Sequence, residues 1–342
     1  MEKRTNRSDK HNPNKKKRKK NIIISIVFVF LAIISVAVGI FYAELSKINT
    51  TDLTKDNSEL GISDETEQKI QLEDPNNEII NIALFGVDRR SQNEASRSDS
   101  IMIATIDKKH KKIKISSIMR DSFVNVPGRG KTKITHAYAY GGAQLAIKTL
   151  NENFQLNIKD YITVDFFSLE KIINALGGVQ INVTKEELPL INDYVTETAA
   201  IEKVTPPVLT KTGLQKLNGM QAVAYTRIRY TAGGDYERTE RQRTVLTALF
   251  NKVQEGGVTK YPSIVSTVLP FTETSIDKLN MISMGTSVLT SGTKTLDQAR
   301  FPLDNQGKGQ TINGVWYLVF DIKTTADQIH KYIYEDIKPE AK

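Results

Sequence analysis

The chain of 342 residues contains no cysteine. This absence excludes a disulfide framework, a thiol nucleophile and a cysteine-ligated metal site. Histidine is scarce as well, with four residues in all and no HExxH pattern, so a zinc hydrolase is not expected. The sequence also lacks the GxSxG motif of serine hydrolases and the GxxxxGK(S/T) loop of nucleotide-binding proteins.

Excess positive charge is missing from most of the chain. Residues 1–20 hold ten lysines and arginines and two acidic residues, and the formal charge of the whole chain equals the +8 of this tail. Residues 21–342 are therefore formally neutral. Because nucleic-acid binding needs a basic face on the folded part, we expect no nucleic-acid partner.

One long apolar run follows the basic tail. Residues 22–42 carry no charge and are long enough to cross the roughly 30 Å hydrocarbon core of a bilayer. The lysines on its N-terminal side predict that the N-terminus lies in the cytoplasm. We predict a basic cytoplasmic tail over residues 1–20, a transmembrane signal anchor over 21–43, a polar extracellular linker over 44–77 and a folded extracellular domain over 78–342. A cleaved signal peptide and a buried core helix are the alternatives.

This arrangement describes a single-pass type II protein of the cell membrane, with membrane lipid as one partner. An exported domain without cysteine must rely on its apolar core, and this fits an exported protein of a Gram-positive bacterium.

Apolar patterns in the exported domain alternate between strands and helices. They predict strands at Ile79–Val87 and Val223–Tyr230, a helix at Leu214–Ala222 and a long helix at Glu237–Gln254. Such alternation favours one α/β domain with a mixed central sheet flanked by helices. Further predicted elements are a hairpin of Ile101–Ile106 and Ile113–Ile118, helices at Gly141–Phe154 and Ser168–Leu176, and strands at Ile162–Val164, Val179–Val183 and Trp316–Phe320.

Most arginines of this domain lie in three segments, each beside an aspartate. The planar guanidinium fork binds phosphate oxygens in pairs. A single arginine–aspartate pair is usually an exposed ion pair of little consequence, but clustering in a neutral domain favours a pocket for a polyanion. The segments are Gly86–Arg90 with Arg97–Asp99, Ser117–Asp121, and Arg227–Arg243 with Asp235.

The predicted geometry brings these side chains together. Arg227 and Arg229 leave one face of the predicted strand. Arg238, Arg241 and Gln242 share one side of the following helix, whose first turns favour an anion. Aspartates within an anion pocket are explained if a divalent cation lies between carboxylate and phosphate oxygens, so we expect Mg²⁺ or Mn²⁺.

Seven short motifs follow one another between residues 80 and 250. They are Gly86-Val87-Asp88-x-Arg90, Arg97-Ser98-Asp99-Ser100-Ile101-Met102, Ser117-Ile118-Met119-Arg120-Asp121, Ala137-Tyr138-Ala139-Tyr140-Gly141-Gly142, Ala175-Leu176-Gly177-Gly178-Val179, Tyr225-Thr226-Arg227-Ile228-Arg229 and Asp235-Tyr236-Glu237-Arg238-Thr239-Glu240-Arg241-Gln242. Together they resemble the LytR–CpsA–Psr family of cell-wall phosphotransferases. Met119 stands where that family commonly has proline and Thr135 where it has asparagine, and we expect altered loop rigidity there rather than lost chemistry.

The resemblance implies an α/β fold that encloses an apolar tunnel for a polyprenyl chain. It implies an enzyme that moves an anionic glycopolymer, wall teichoic acid or capsular polysaccharide, from its polyprenyl-pyrophosphate carrier to peptidoglycan. By the matched motifs, Asp88 and Asp99 serve the Mg²⁺ (or Mn²⁺) site. The residues implied in pyrophosphate binding are Arg97, Arg120, Arg227, Arg229, Arg238, Arg241, Gln242 and Asp235, and those implied in catalysis are Asp88, Arg97, Arg120 and Arg229.

In the expected reaction, a muramic acid hydroxyl attacks the phosphorus that carries the polymer, while the cation and arginines stabilise the leaving lipid phosphate. Asp88 is also a candidate base. Attack by water would instead make the protein a polyprenyl-pyrophosphate phosphatase. Binding without turnover would make it a membrane-bound regulator or attenuator of envelope genes, although the short tail has no helix-turn-helix pattern for DNA.

Apolar side chains on elements beside the arginine segments are the predicted wall of the tunnel, with an ordinary core as the alternative for any one of them. They are Ile101, Ile103, Leu145, Phe166, Phe167, Leu169, Ile172, Ile173, Leu176, Val245, Leu246 and Leu249.

Overall fold

A mixed sheet of seven strands forms the centre of the fold in a computed structural model of this chain. The structure describes residues 49–51, 53–89, 96–231, 233–290, 292–293 and 296–340. In order across the sheet, the strands are β1 (Asn49–Thr50), β10 (Glu273–Thr274), β7 (Asp160–Asp165), β2 (Ile79–Val87), β3 (Ser98–Asp107), β4 (Lys112–Ile118) and β11 (Leu296–Phe301). The predicted α/β fold with a mixed central sheet is confirmed.

The central strand β2 pairs antiparallel with β3 and parallel with β7. Its sequence is almost continuously apolar, as expected for a strand that is covered on both faces. The predicted hairpin is confirmed as the antiparallel pair of β3 and β4. Helices α2 (Thr135–Phe154) and α8 (Ile322–Tyr334) join these strands in the main apolar core.

A second apolar core lies beside the main one and consists largely of helices. Its elements are α3 (Phe166–Ala175), α4 (Glu187–Glu202), α5 (Gly219–Arg227), the first part of α6 (Gly234–Val268), and the hairpin of β8 (Val179–Val183) with β9 (Gly213–Leu217). The remaining elements are α1 (Asp64–Glu73), the hairpin of β5 (Phe123–Val126) with β6 (Gly130–Lys133), α7 (Lys278–Thr290), and the hairpin of β12 (Gly307–Ile312) with β13 (Val315–Phe320).

Part of the predicted linker over residues 44–77 belongs to the folded domain, so the linker prediction is wrong there. The side chain of Ser63 caps α1 by accepting a hydrogen bond from the backbone N–H of Thr66. Leu60, Ile62 and Ile70 are buried in the main core. These few apolar residues are spaced too widely in an acidic segment to show a period, and long-range packing orders them instead.

The prediction for residues 214–230 is correct only at residues 219–222, which are helical as predicted. Residues 213–217 form β9, and α5 occupies most of the predicted strand. Asn218 and Gln221 form a capping box that fixes the start of α5, with each side chain accepting from the other residue's backbone N–H. Residues 222–225 of α5 are apolar and all buried, and such a run cannot be distinguished from a buried strand by its period.

Glycines with a non-helical backbone divide α2 and α6 near the predicted helix ends. Gly141 and Gly142 separate a short helical segment that begins at Thr135 from the predicted helix that ends at Phe154. Gly257, with a φ of +64°, interrupts α6 close to the predicted end at Gln254, and a further helical segment continues to Val268.

No helix within the described ranges is both long and apolar enough to cross a membrane. The predicted anchor over residues 21–43 lies outside those ranges.

Candidate active site

Two aspartates and three arginines meet at one end of the central sheet. Arg120 donates from Nη1 to Asp99 Oδ1 (2.8 Å) and from Nε to Asp235 Oδ2 (3.0 Å). Arg238 lies 3.3 Å from each of the two carboxylates and donates to the backbone oxygen of Asp99 (2.8 Å). Arg229 donates to Asp99 Oδ2 at 3.1 Å. Each carboxylate is therefore shared between guanidiniums, and these five residues are called the charged cluster below.

Strand register explains why the cluster forms. In the antiparallel pair of β3 and β4, Met102 lies opposite Ser117. Asp99 precedes Met102 by three residues and Arg120 follows Ser117 by three, so both lie at the same end of the sheet. Helix α6 begins over this end and brings Arg238 to it.

Burial and charge together set the ionisation of the cluster. Arg238 is 3% exposed, and this burial lowers its pKa to about 10, so it stays charged at neutral pH. Burial alone would raise the pKa of Asp235, but the positive charges of Arg120 and Arg238 outweigh it and hold that pKa below its usual value. Burial would lower the pKa of Arg120, whereas the charges of Asp99 and Asp235 raise it above its usual value.

A second pocket, called the Asp88 pocket below, lies at the end of β2 and has a volume of about 100 Å³. Arg227 lines it, pairs with Glu197 at 3.4 Å and stacks over the ring of Tyr194, 4.7 Å from the ring centroid. Asp88 is exposed, and its carboxylate forms no hydrogen bond or ion pair with any residue that the structure describes. The pocket thus presents Arg227 together with the carboxylates of Asp88, Glu170 and Glu197.

A large apolar cavity of about 460 Å³ adjoins both charged sites. Ser100 and Gln242 line this cavity and also the small space within the charged cluster. Phe166 lines the cavity and the Asp88 pocket. One ligand could therefore place an anionic head group at the cluster and an apolar tail in the cavity. The cavity wall includes Leu169, Ile172, Leu176, Val245, Leu246, Leu249, Tyr261, Ile264, Val265 and Val268.

Comparison with known proteins gives the same assignment as the motifs. The model of the LytR–cpsA–psr family matches residues 40–333. The chain belongs to this family. It is 30% identical, over 79% of its own length and 84% of the relative, to the polyisoprenyl-teichoic acid–peptidoglycan teichoic acid transferase TagU of Enterococcus faecalis. It is 34% identical, over 66% of its length and 65% of the relative, to the regulatory protein MsrR of Staphylococcus aureus.

A solved structure of TagT bound to LI-WTA has the same fold as this family member. The TM-score is 0.62 at 26% sequence identity, and the match covers 77% of this chain and 92% of that one.

Five of the predicted site residues form the charged cluster, namely Asp99, Arg120, Arg229, Arg238 and Asp235. Gln242 joins the cluster to the cavity. Asp88 and Arg227 lie together in the Asp88 pocket. Arg97 is exposed, and its charge helps lower the pKa of His136, after the larger effect of burial. The predicted common strand of Arg227 and Arg229 is wrong, since Arg227 ends helix α5 and Arg229 follows it.

Arg241 does not join the cluster, contrary to its predicted place in the pyrophosphate site. Its Nε donates to Glu187 at 2.8 Å, and its other nitrogens reach Glu237, Thr231 and the backbone oxygen of Ile228. Both Arg241 and Glu187 are buried. Arg238 and Arg241 lie one turn apart on α6, as the spacing predicts. However, Arg238 contacts Asp99, whereas Arg241 faces Glu187 of α4. Glu197 and Tyr194 were not predicted as neighbours of the site, because α4 carries no recognisable motif.

Of the predicted wall residues, Phe166, Leu169, Ile172, Leu176, Val245, Leu246 and Leu249 line the cavity. The others pack elsewhere. Ile101, Ile103 and Ile173 are buried in the two cores, Leu145 packs against the main core, and Phe167 lines the Asp88 pocket.

A separate group of potential metal ligands consists of Asp107, His110 and Asp336. The fully buried Lys114 lies 2.5 Å from Asp107 and 3.1 Å from Asp336, and Lys112 lies 2.7 Å from Asp336. These lysines already neutralise the carboxylates, so we assign the group to an internal salt-bridge network.

Proposed function

We propose that this protein transfers an anionic glycopolymer, such as wall teichoic acid, from a polyprenyl-pyrophosphate carrier to peptidoglycan. The junction of the charged cluster with the apolar cavity at Ser100 and Gln242 is the observation that supports this most directly. A ligand that uses both parts must have a strongly anionic head and a long apolar tail. The name of the Enterococcus faecalis relative gives this reaction for that protein.

The charged cluster is suited to a pyrophosphate because its arginines outnumber its aspartates. Three guanidiniums share the carboxylates of Asp99 and Asp235. Asp121 also lies 3.4 Å from Arg120, but its closer partner is Lys133, at 2.6 Å. A doubly charged pyrophosphate would accept the hydrogen bonds that Asp99 and Asp235 now accept. The buried position of Arg238 strengthens such bonds, since little water competes for them.

We further propose that Asp88 and Asp99 hold a divalent cation, Mg²⁺ or Mn²⁺. Their donor chemistry fits, because both offer hard carboxylate oxygens. Their positions are compatible with this, because Asp88 directly follows Val87 at the end of β2 and Asp99 lies at the bulge in the neighbouring part of β3, between the partners of Gly86 and Val87. The cation would supply charge neutralisation on the pyrophosphate. Calorimetric titration with Mn²⁺ should show binding to the wild type and none to an Asp88→Ala/Asp99→Ala variant; full activity of that variant in excess EDTA would refute the site.

In the proposed transfer step, the arginines of the cluster bind the pyrophosphate of the donor. A hydroxyl of the acceptor sugar attacks the phosphorus that carries the polymer and forms a new phosphorus–oxygen bond. The bond from that phosphorus to the bridging oxygen breaks, and polyprenyl phosphate leaves with the electron pair. Guanidiniums of the cluster stabilise the charge that develops on the leaving phosphate. The carboxylate of Asp88, which is exposed, would accept the hydroxyl proton.

We also propose that residues 21–43 anchor the domain in the cell membrane, with the domain outside the cell. The apolar run and the basic tail before it support this orientation. An anchor would keep the cavity near the bilayer from which a polyprenyl carrier comes. Protease added to intact cells should remove the domain and leave a short membrane-bound fragment.

Product analysis tests the proposed reaction. Full-length protein in lipid nanodiscs is incubated with a polyprenyl-pyrophosphate-linked saccharide and peptidoglycan fragments. We expect saccharide joined to peptidoglycan through a phosphodiester, with equimolar polyprenyl phosphate. Release of free saccharide phosphate alone would indicate a phosphatase. Tight binding of the donor without turnover would indicate a regulator, the role in the name of the Staphylococcus aureus relative.

A further inference from the structure

A surface rich in cations and aromatic rings lies beside the charged cluster. It comprises Arg129, Lys131, Lys133, Tyr140, Trp316 and Tyr317 and is called the basic–aromatic surface below. Its side chains come from the β5–β6 hairpin, the start of α2 and the β12–β13 hairpin. Residues 123–140 and 307–320, which carry it, contain four lysines and arginines and no aspartate or glutamate. In a domain that is neutral overall, this is a local excess of positive charge.

Cations and rings alternate on this surface. The guanidinium of Arg129 lies over the ring of Tyr140 at 5.2 Å from its centroid. The ammonium of Lys133 lies 5.9 Å from the ring centroids of both Trp316 and Tyr317. Lys131 is exposed and leaves the same face of β6 as Lys133, two residues away. Cation–π contact holds Arg129 in place without neutralising its charge, whereas Lys133 is also paired with the carboxylate of Asp121.

The rings are presented with part of their faces open. Trp316 and Tyr140 are each 47% exposed. The indole lies close against Gly309 of the neighbouring strand, where an added Cβ would come within 2.7 Å of its Nε1. Glycine at this position therefore lets the indole approach the neighbouring strand closely. Partly exposed rings suit the apolar face of a sugar, and the cations beside them suit phosphate.

The basic–aromatic surface is continuous with the charged cluster through Asp121. Its carboxylate lies 3.4 Å from Arg120 in the cluster and 2.6 Å from Lys133 on the surface. The backbone N–H of Leu318 donates to the backbone oxygen of Asp121 at 2.9 Å, which attaches the β12–β13 hairpin at this point. Burial, Arg97 and Lys133 lower the pKa of His136, so this histidine between them adds little charge at neutral pH.

We propose that the basic–aromatic surface binds the polyanionic glycan chain of the donor as it leaves the charged cluster. This inference rests on the proposed function, because a polymer whose terminal phosphorus sits in the cluster must leave across an adjoining surface. Repeating phosphates would contact Arg129, Lys131 and Lys133, and sugars would stack on Tyr140 and Trp316. The surface would thereby favour long polymers over short ones without touching the reacting atoms.

An anionic membrane is the competing partner for a basic surface. A surface that binds membranes inserts apolar side chains into the lipid. Here each ring lies beside a cation, so we favour a linear sugar-phosphate chain. Vesicles therefore enter the experiment as a separate arm.

Fluorescence of Trp316, the only tryptophan in the chain, reports directly on this surface. Full-length protein in detergent micelles is titrated with lipid-free oligomers of glycerol phosphate, and neutral dextran of similar length serves as the control ligand. We expect a saturable fluorescence change with the polyanion only. In the Arg129→Gln/Lys131→Gln variant, affinity should fall and the slope of log affinity against log salt should decrease by about 2, one for each lost phosphate contact. The matched Lys211→Gln/Lys216→Gln variant, which loses two exposed lysines near β9, should behave as wild type.

Turnover separates this inference from the proposed function. With a donor that carries one disaccharide, the Arg129→Gln/Lys131→Gln variant should match wild type, while its preference for a long polymer should be lost. Polymer binding that weakens in this variant, with no turnover of either donor by wild type, would uphold the surface and refute the transferase. The surface assignment is refuted if the double variant binds polymer as wild type does, or if anionic vesicles change Trp316 fluorescence and the polymer does not.

Discussion

The arginine fork, rather than positive charge alone, determines what the charged cluster can hold. Arg229 donates to Asp99 from an accessible side chain, 42% exposed, and little of the core depends on it. Arg229→Lys keeps the charge but loses the paired donors. A lost charged hydrogen bond costs about 1.5–3 kcal/mol, so kcat/KM should fall roughly 10- to 100-fold. The melting temperature should stay close to that of wild type.

Arg241 is the matched control, because it is an arginine of the same region with a buried partner. Arg241→Ala leaves Glu187 as an uncompensated buried carboxylate and should lower the free energy of unfolding by about 3–5 kcal/mol. Urea unfolding of both variants checks the contrast. An Arg229→Lys protein that unfolds as easily as Arg241→Ala would show that Arg229 supports the fold instead.

Asp235 should make the domain sensitive to acid. Its pKa in the folded state lies below its usual value, since Arg120 and Arg238 outweigh the effect of burial. Its contribution to stability is therefore present above the unfolded-state pKa and is lost as pH falls through the folded-state pKa. The melting temperature of wild type should fall more steeply than that of Asp235→Asn as pH is lowered below about 4. Parallel curves for the two proteins would contradict this account.

The sequence predicted which residues belong to the site better than it predicted which side chains those residues contact. Clustering of arginine and aspartate in the sequence identified all five members of the charged cluster. It also included Arg241, because a helical repeat places residues on a side of a helix but does not say which neighbour that side faces. The contact of Arg227 with Glu197 joins elements that are distant in sequence, and no local pattern reports it.

At the scale of elements, the kink in α6 shapes the cavity. Gly257 has φ +64° and ψ −177°, a conformation that essentially only glycine adopts. The helix before it supplies Val245 and Leu249 to the cavity, and the helix after it supplies Tyr261 and Val265. Gly257→Ala should lower the free energy of unfolding by about 1–3 kcal/mol and reduce turnover of long-chain donors more than that of short-chain donors.

A second glycine provides the control for this prediction. Gly128 also has a positive φ, +72°, but lies in the β5–β6 turn with open space around it. Gly128→Ala should lower stability without changing the preference for chain length. Equal effects of both substitutions on that preference would mean that the kink does not shape the cavity.

Strand predictions succeeded where packing agreed with local pattern. The hairpin of β3 and β4 has apolar runs bounded by a polar turn, and β2 has the continuous apolar run of a covered strand. The strand prediction after residue 222 failed because residues 222–225 of α5 are apolar and all buried, which removes the helical period from this run. The capping box of Asn218 and Gln221 fixes the start of α5 within the residues predicted as one helix.

At the scale of the whole molecule, the apolar cavity adjoins the anion site through shared lining residues. Leu249 lines this cavity of about 460 Å³. Leu249→Trp should displace part of a long polyprenyl chain from the cavity. About 0.8 kcal/mol of binding free energy is lost for each methylene of that chain that is no longer buried. Turnover of long-chain pyrophosphate donors should fall more than about tenfold, with little change for short-chain donors. Leu72→Trp, at an 84% exposed position of α1, is the control. Equal losses for both chain lengths would show that only the head group is recognised.

The sequence predicted the architecture more completely than the boundaries of the domain. Alternating strands and helices indicated the mixed sheet, since each element type has its own period. The inclusion of residues 60–73 in the domain could not be predicted, because Leu60 and Ile70 gain their apolar partners only from distant parts of the chain.

The central claim is that an acceptor hydroxyl, and not water, attacks the phosphorus bound at the charged cluster. The most direct test is to run the transfer reaction of the full-length protein in water enriched in oxygen-18, with peptidoglycan fragments present, and to weigh the products by mass spectrometry. The account predicts saccharide joined to peptidoglycan by a phosphodiester that carries no oxygen-18, together with unlabelled polyprenyl phosphate. Oxygen-18 in the phosphate of a free saccharide product, with no saccharide on peptidoglycan, would contradict it.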